Sequence, residues 1–129
     1  MKYKKFDNTI VLILEIGEEI VAIIVEAAKK ENIKLATVSG IGAVDNLTIG
    51  VFKPNDKKYY SNHFEGDFEV LSLNGNLSTM NNEVYQHLHI AVGNVQGQAF
   101  GGHLNAAVVS VTAEIFINII DGEVDRFLD

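Results

Sequence analysis

The alternating segment 105–120, NAAVVSVTAEIFINII, restricts the fold of this chain more than any other feature of the sequence. Every odd position from 107 to 119 is apolar. The even positions carry Ser110, Thr112 and Glu114. Because a period of two places successive side chains on opposite faces of a β-strand, we predict the longest strand of the protein here. Its odd positions should face a hydrophobic core, and its even face could contact another subunit.

Several other segments have the composition of strands, and turn residues separate them. In 67–78 the alternation places Glu69, Leu71 and Leu73 on one face. The predicted strands are 8–16, 35–41, 46–53, 59–64, 67–78 and 81–93, with 98–104 as a short strand or bend. The segment SGIGA separates the second strand from the third, and turns are predicted at 54–58 and 94–97.

Residues 17–33 form the one clear helical segment. Glu18 and Glu19 lie in its predicted first turn and the lysine pair 29–30 in its last, which matches the helix dipole. Its apolar face consists of Ile20, Ile23, Ile24, Ala27 and Ala28, widened by Val21 and Val25. Many strands and one helix favour an α/β (α+β) fold. We predict a single domain over 1–129, with a largely antiparallel sheet packed against one main α-helix.

The charge of the chain argues against direct recognition of nucleic acid. The formal net charge is −7, and Arg126 is the only arginine. Binding to phosphates depends on Lys and Arg, and reading of bases favours Arg. Small lysine clusters at 2–5 and 57–58 could touch a nucleic-acid backbone, but such clusters are usually solvated surface.

The absence of cysteine excludes disulfides, thiolate ligands and cysteine nucleophiles. The basic segment 1–8 is not followed by the pattern of a signal peptide, and charges interrupt the apolar runs well short of a membrane span. We therefore expect a cytoplasmic protein that does not associate with membranes.

Three of the four histidines lie between residues 85 and 108, beside several glycines. His87 and His89 lie two positions apart in a predicted strand, so they share a face about 6.5–7 Å apart. The turn that follows can bring His103 alongside on the next strand, helped by Gly97, Gly101 and Gly102, which permit sharp bends and close backbone approach. The three would hold zinc and leave a fourth position for water or substrate. The alternative is that the His-x-His pair is ordinary polar surface, as we expect for His63.

Two carboxylates are candidates for the chemistry of such a site. Glu69 shares a predicted strand face with leucines, which is unusual unless that face meets a polar pocket. Glu69 or Glu114 could orient a ligand histidine or act as a general base. The alternative for each is a charge at a strand edge or a partner in a salt bridge.

Five segments, in order, resemble the plants-and-prokaryotes-conserved domain, known as the PPC domain. They are GEEI, SGIGAVDNLTIGVF, GDFEVLSLNGNLS, HLHIAVGNVQGQAFGGHL and AEIFI, and together they span nearly the whole chain. The most specific is the block that contains His87, His89 and His103. No Arg-Gly-Arg-Pro AT-hook is present in these residues, so the chain looks like the stand-alone prokaryotic form.

The resemblance implies an α/β fold, assembly as a homotrimer, and a zinc site at the three histidines. It also implies a distant similarity of fold to acetolactate decarboxylase. That similarity favours a metal-dependent lyase or hydrolase acting on a small carbonyl or carboxylate compound, by analogy only. The alternative that family descriptions suggest is a DNA-binding or transcription-associated regulatory protein. A third is a non-enzymatic trimer that presents a ligand pocket.

Overall fold

A computed structural model gives the fold and describes residues 1–126. The elements are β1 (Lys2–Phe6), β2 (Thr9–Leu14), α1 (Ile20–Lys30), β3 (Ala36–Lys53), β4 (Lys58–Met80), β5 (Glu83–Gly93), β6 (Ala99–Ile119) and β7 (Asp125–Arg126). No helix among these residues is long and apolar enough to cross a membrane.

One sheet contains all seven strands in the order β1-β2-β6-β3-β4-β5, with β7 paired to β4. Every pairing is antiparallel except that of β7 with β4. β5 also pairs with the first residues of β6, so β6, β3, β4 and β5 form a closed circuit of hydrogen-bonded neighbours. The predicted antiparallel sheet with one main helix is confirmed.

The core lies between α1 and the inner face of the sheet. Fully buried side chains include Leu12, Ile24, Leu88 and Ile115. The helix runs from Ile20 to Lys30, three residues shorter at each end than the predicted 17–33, and Glu19 is its N-cap rather than part of the first turn. The Glu19 carboxylate accepts hydrogen bonds from the backbone N–H groups of Val21 and Ala22 and from that of Ala107 in β6, which ties the start of the helix to the sheet.

The segment SGIGA does not separate two strands, as was predicted, because 36–53 is the single strand β3. Its glycines have another use. A side chain on Gly42 would collide with the backbone of Thr112 and Ala113 in β6, and one on Gly40 would crowd the carbonyl oxygen of Glu114. The glycines therefore permit close strand approach instead of a turn.

Segments 98–104 and 105–120 likewise join in one strand, β6. At 21 residues it is shorter than β4, which has 23, so the prediction of the longest strand is wrong. β4 is longer because it incorporates the segment 59–64. Strands β1 and β7 were not predicted.

Two β-bulges change which residues face the core. β6 uses the residues from Val109 to Ala113 where β3 uses only 42–44, and this leaves Val111 exposed although its odd position predicted burial. In β4 an extra residue, Leu71, interrupts the register with β5. Leu71 is therefore exposed and Leu73 buried, so the predicted shared face is wrong at this point.

Candidate metal centre

His87, His89 and His103 meet on the outer face of the sheet, opposite the helix. His89 and His103 are direct register partners on β5 and β6, and His87 lies two residues before His89 on the same face. One ring nitrogen from each histidine lies within 4.8 Å of the others. The ring centroids are 5.2–5.7 Å apart. The predicted convergence of the three imidazoles is present in a single chain.

The turn between β5 and β6 sets this register. The side-chain oxygen of Asn94 accepts hydrogen bonds from the backbone N–H groups of Gln96 and Gln98. Gly97 adopts a positive φ of 77°, which a residue with a side chain rarely adopts. Because the turn pairs Gly93 with Ala99, His89 necessarily lies opposite His103.

Glycines also let the strands around the histidines approach each other closely. A Cβ atom on Gly101 would fall on the carbonyl oxygen of Ile90, and one on Gly75 would fall on that of His87. One on Gly102 would collide with the carbonyl oxygen of Gly50. The glycine-rich sequence beside the histidines therefore fixes the distances between the backbones that carry them.

The surroundings of two of the rings favour the neutral imidazole over its protonated form. Partial burial lowers the pKa of the His87 imidazole below its ordinary 6.5, and the charges of His89 and Arg126 lower it further. Burial is also the main cause of the lowered pKa of His103, followed by His87 and His89. A neutral imidazole has a free lone pair, which a metal ion requires.

The histidines lie between an apolar and a polar surface. On one side a depression of about 510 Å³ is lined by Gly50, Val51, Phe52, Tyr59 and Gly102 together with the three rings. On the other side Thr37, Asn74, Gly75 and Asn76 border His87 and His89. Neither surface contains an acidic residue.

Comparisons with known proteins establish the family. The model of the Plants and Prokaryotes Conserved (PCC) domain matches residues 1–121. The chain belongs to this family. The predicted resemblance is thereby confirmed, PPC and PCC being two abbreviations of one description. No curated protein matches the sequence.

Solved structures with the same fold include two close relatives of this PCC domain. A candidate DNA-binding protein from Bacteroides thetaiotaomicron is 33% identical, with a TM-score of 0.96, covering 99% of this chain and 90% of that one. A metal-containing protein from Archaeoglobus fulgidus is 32% identical, with a TM-score of 0.88, covering 100% and 93%.

A third structure is similar in fold alone. It is a Staphylococcus aureus protein of unknown function similar to α-acetolactate decarboxylase, 12% identical, with a TM-score of 0.64 and coverage of 98% and 56%. This agrees with the predicted distant similarity to the acetolactate decarboxylase fold.

The two candidate carboxylates of the PCC domain do not lie at the histidines. Glu69 is exposed and pairs with Gly93, about 13 Å along β5 from His89. Glu114 is exposed and lies roughly 35 Å along β6 from His103. Among residues 1–126 the group that could hold a metal contains histidines only. The catalytic roles of Glu69 and Glu114 stay predictions, and contacts within one chain do not support them.

His63 lies apart from the other histidines. Its side chain is half exposed, with Nδ1 2.9 Å from the hydroxyl oxygen of Thr48 and Nε2 3.4 Å from a carboxylate oxygen of Glu65. The prediction that it is a surface residue is confirmed.

Sequence analysis missed Tyr59 and Arg126 as neighbours of the site. The Tyr59 ring stands edge-on to that of His103, with centroids 6.1 Å apart. The Arg126 guanidinium lies 4.8 Å above the Tyr85 ring and donates a hydrogen bond to Asn76, the register partner of His87. Arg126 was conspicuous as the only arginine, but no pattern predicted β7, the short strand that positions it.

Proposed function

We propose that this PCC-domain protein binds zinc through His87, His89 and His103 and works as a homotrimer. We further propose that it is a metal-dependent enzyme, a lyase or hydrolase, that acts on a small carbonyl or carboxylate compound in the cytoplasm. The observation that carries the proposal is the cluster of three ring nitrogens within 4.8 Å. A similar metal-containing protein from Archaeoglobus fulgidus supports it.

The donor set fits zinc. Zinc accepts imidazole nitrogens at about 2.0–2.1 Å, and sites with three histidines leave one position open. Two nitrogens at that distance and a tetrahedral angle lie roughly 3.4 Å apart, so the ring nitrogens, which lie within 4.8 Å of one another, would approach by about 1.4 Å or less to close the site. The centre is on the outer face of the sheet, and His89 is exposed, so a small molecule has access to the open position.

A bound zinc would supply Lewis acidity toward a carbonyl or activation of water. The residues of the chain would position the metal and the ligand. The paired strands β5 and β6 hold the imidazoles, and Asn74 and Asn76 present amide groups beside them.

Metal content tests the proposal. After supply of zinc, we expect about one equivalent in the purified protein and a large loss in the His89→Ala variant, since a ligand is removed. His63→Ala is the matched control because His63 is an exposed histidine outside the cluster. Less than about a tenth of an equivalent of any transition metal in the unaltered protein would end the proposal.

The outer face of the sheet supports the homotrimer. Ile41, Leu71 and Val111 are 56%, 53% and 66% exposed on three adjoining strands. Exposed clusters of apolar side chains mark interaction surfaces. Val111→Glu should reduce the sedimentation mass from that of a trimer, whereas the same change at Val124, 53% exposed, should not. A monomeric unaltered protein would contradict this part of the proposal.

DNA binding is the second candidate function, and the description of the Bacteroides thetaiotaomicron relative favours it. The exposed lysines of β1 are the positive groups that could contact a phosphate backbone, against a net charge of −7. Fluorescence anisotropy with duplex DNA at about 50 mM salt discriminates, since phosphate contacts make binding strongly salt-dependent. Tight, salt-sensitive binding would favour this candidate over the metal enzyme.

A further inference from the structure

We propose that the depression beside the histidines binds a monocarboxylate with an aliphatic or aromatic body. The carboxylate would lie at the metal, and the body would lie against Val51, Phe52 and Tyr59. We call these three residues the hairpin wall. The inference rests on the proposed metal site and narrows its ligand to one chemical class.

The hairpin wall belongs to the β3–β4 hairpin, where Phe52 pairs with Tyr59 and Val51 with Tyr60. Val51 is 60% exposed and Phe52 is 56% exposed. Apolar side chains beside a cluster of metal-binding groups make a site in which polar atoms anchor one end of a ligand and apolar atoms accept the rest. The depression, at about 510 Å³, has the size of pockets for small molecules.

Tyr59 is fixed before any ligand arrives. Its ring lies over Gly50, where any Cβ atom would collide with it. Its hydroxyl donates a hydrogen bond of 2.7 Å to the side-chain oxygen of Asn105. A ring held at both its face and its hydroxyl loses little freedom on binding, so its contact contributes more to affinity. Gly50 is therefore required for the position of Tyr59 in the hairpin wall.

The charges around the histidines select an anion. Three neutral imidazoles leave the two positive charges of a bound zinc uncompensated. No acidic residue lines either surface beside the rings. The Arg126 guanidinium donates a hydrogen bond to the side-chain oxygen of Asn76, which is the register partner of His87. An anionic group at the metal is therefore favoured in a protein whose net charge is otherwise −7.

The same wall disfavours a second charge on the ligand. A carboxylate or phosphate at the far end would lie against Val51 and Phe52, where no lysine or arginine lines the depression to compensate for lost solvation. A single anionic head with an apolar body satisfies both ends of the depression. Sugars and dicarboxylates do not.

Calorimetric titration of the zinc-loaded protein with acetate, butyrate, hexanoate and 3-phenylpropionate tests the inference. Full burial of a methylene group increases affinity about fourfold, so a one-sided wall should give about twofold for each methylene added. Hexanamide, which has the same body without the charge, should bind more than about tenfold weaker than hexanoate.

Phe52→Ala should flatten the dependence on chain length and leave acetate affinity unchanged. Phe6→Ala is the matched control because Phe6 is 54% exposed, nearly the same as Phe52, and does not line the depression. It should leave the whole series unchanged.

Zinc content and sedimentation mass, measured on every sample, distinguish a failure of the proposed metal site from a failure of the ligand inference. Protein without zinc would overturn the proposed metal site and this inference together. Zinc-loaded protein that binds acetate and hexanoate equally, or a Phe52→Ala variant with an unchanged series, would overturn the inference alone. A Phe52→Ala variant with altered sedimentation mass would also overturn it, because the wall would then be a contact between copies of the chain.

Discussion

The two halves of β6 place opposite demands on the sequence. Its second half, 105–119, alternates apolar and polar side chains, and its odd positions are mostly buried beneath α1. Its first half, 99–104, has two glycines beside His103, and those glycines lie against the backbones of β3 and β5. The second half is stabilised by side-chain burial, whereas the first half is shaped by the absence of side chains.

This difference separates stability from function along one strand. Apolar burial contributes to stability wherever the pattern places it. The proposed metal centre instead depends on how closely three backbones approach, which glycines at 101, 102 and 75 permit. Substitutions in the two halves should therefore affect different measurements.

The largest expected effect is on stability in the second half. Ile115 is fully buried, so Ile115→Ala should reduce the free energy of unfolding by about 2–5 kcal/mol through lost burial and the cavity that remains. Urea unfolding monitored by circular dichroism measures it. The folded fraction should still bind zinc with the affinity of the unaltered protein. A loss of zinc affinity in that fraction would show that the halves are not separable.

Gly101→Ala should affect both properties, and zinc affinity most. Its Cβ atom would fall on the carbonyl oxygen of Ile90, so β5 and β6 must move apart at the histidines. We expect at least about a tenfold loss of zinc affinity, comparable to the loss of a group that orients a metal ligand, and about 1–3 kcal/mol of stability from overpacking. Zinc titration with a competing chelator measures the first. Gly17→Ala is a control for the loss of a glycine outside the site, because a Cβ atom there would meet nothing within 4 Å, although the positive φ of Gly17 adds some strain. Unchanged zinc affinity in Gly101→Ala would contradict the account.

Acid should weaken the metal-free protein through two of the clustered histidines, His103 in the first half of β6 and His87 in β5. The pKa values of His87 and His103 are lowered in the folded state from 6.5, so the unfolded chain binds more protons below that pH. The free energy of unfolding should be unaffected by these groups above about pH 6.5 and should fall as the pH decreases through the lowered values. Comparing the unaltered protein with a His87→Gln, His103→Gln double variant isolates this slope. If the free energy of unfolding depended on pH in the same way in both proteins, these histidines would not be the cause of the acid sensitivity.

The smallest expected change in stability comes from the ligands themselves. Without metal, His103→Ala should change the free energy of unfolding by less than about 1 kcal/mol, because the side chain is only partly buried. Zinc affinity should nevertheless fall more than about a hundredfold, beyond the loss expected for groups that only support a ligand. A large loss of stability in the metal-free variant would mean that His103 has a structural role instead.

Alternation and residue type were sufficient to predict the sheet, the helix and the face on which His87 and His89 lie. The alternation failed at Val111 and Leu71 because each lies in a bulge, and one or two extra residues in a strand have no distinct composition. The prediction also failed at SGIGA. In the sequence, glycines that permit two strands to approach closely look the same as glycines that form a turn.

The cluster of three histidines was predictable because its residues lie on two strands joined by a short turn. Tyr59 and Arg126 were not, since each reaches the histidines through pairings distant in the sequence. Tyr59 lies beside the histidines because Gly50 in β3 pairs with His103 in β6, and Arg126 depends on the parallel pairing of β7 with β4. No local pattern encodes either pairing.

X-ray absorption at the zinc edge of the zinc-loaded protein tests the central claim most directly. The account predicts three imidazole nitrogens at about 2.0–2.1 Å with a further light-atom ligand in the open position. It also predicts that one imidazole disappears from this set in the His89→Ala variant. A spectrum with a single imidazole, or one unchanged by His89→Ala, would contradict the claim that these three side chains form one metal centre.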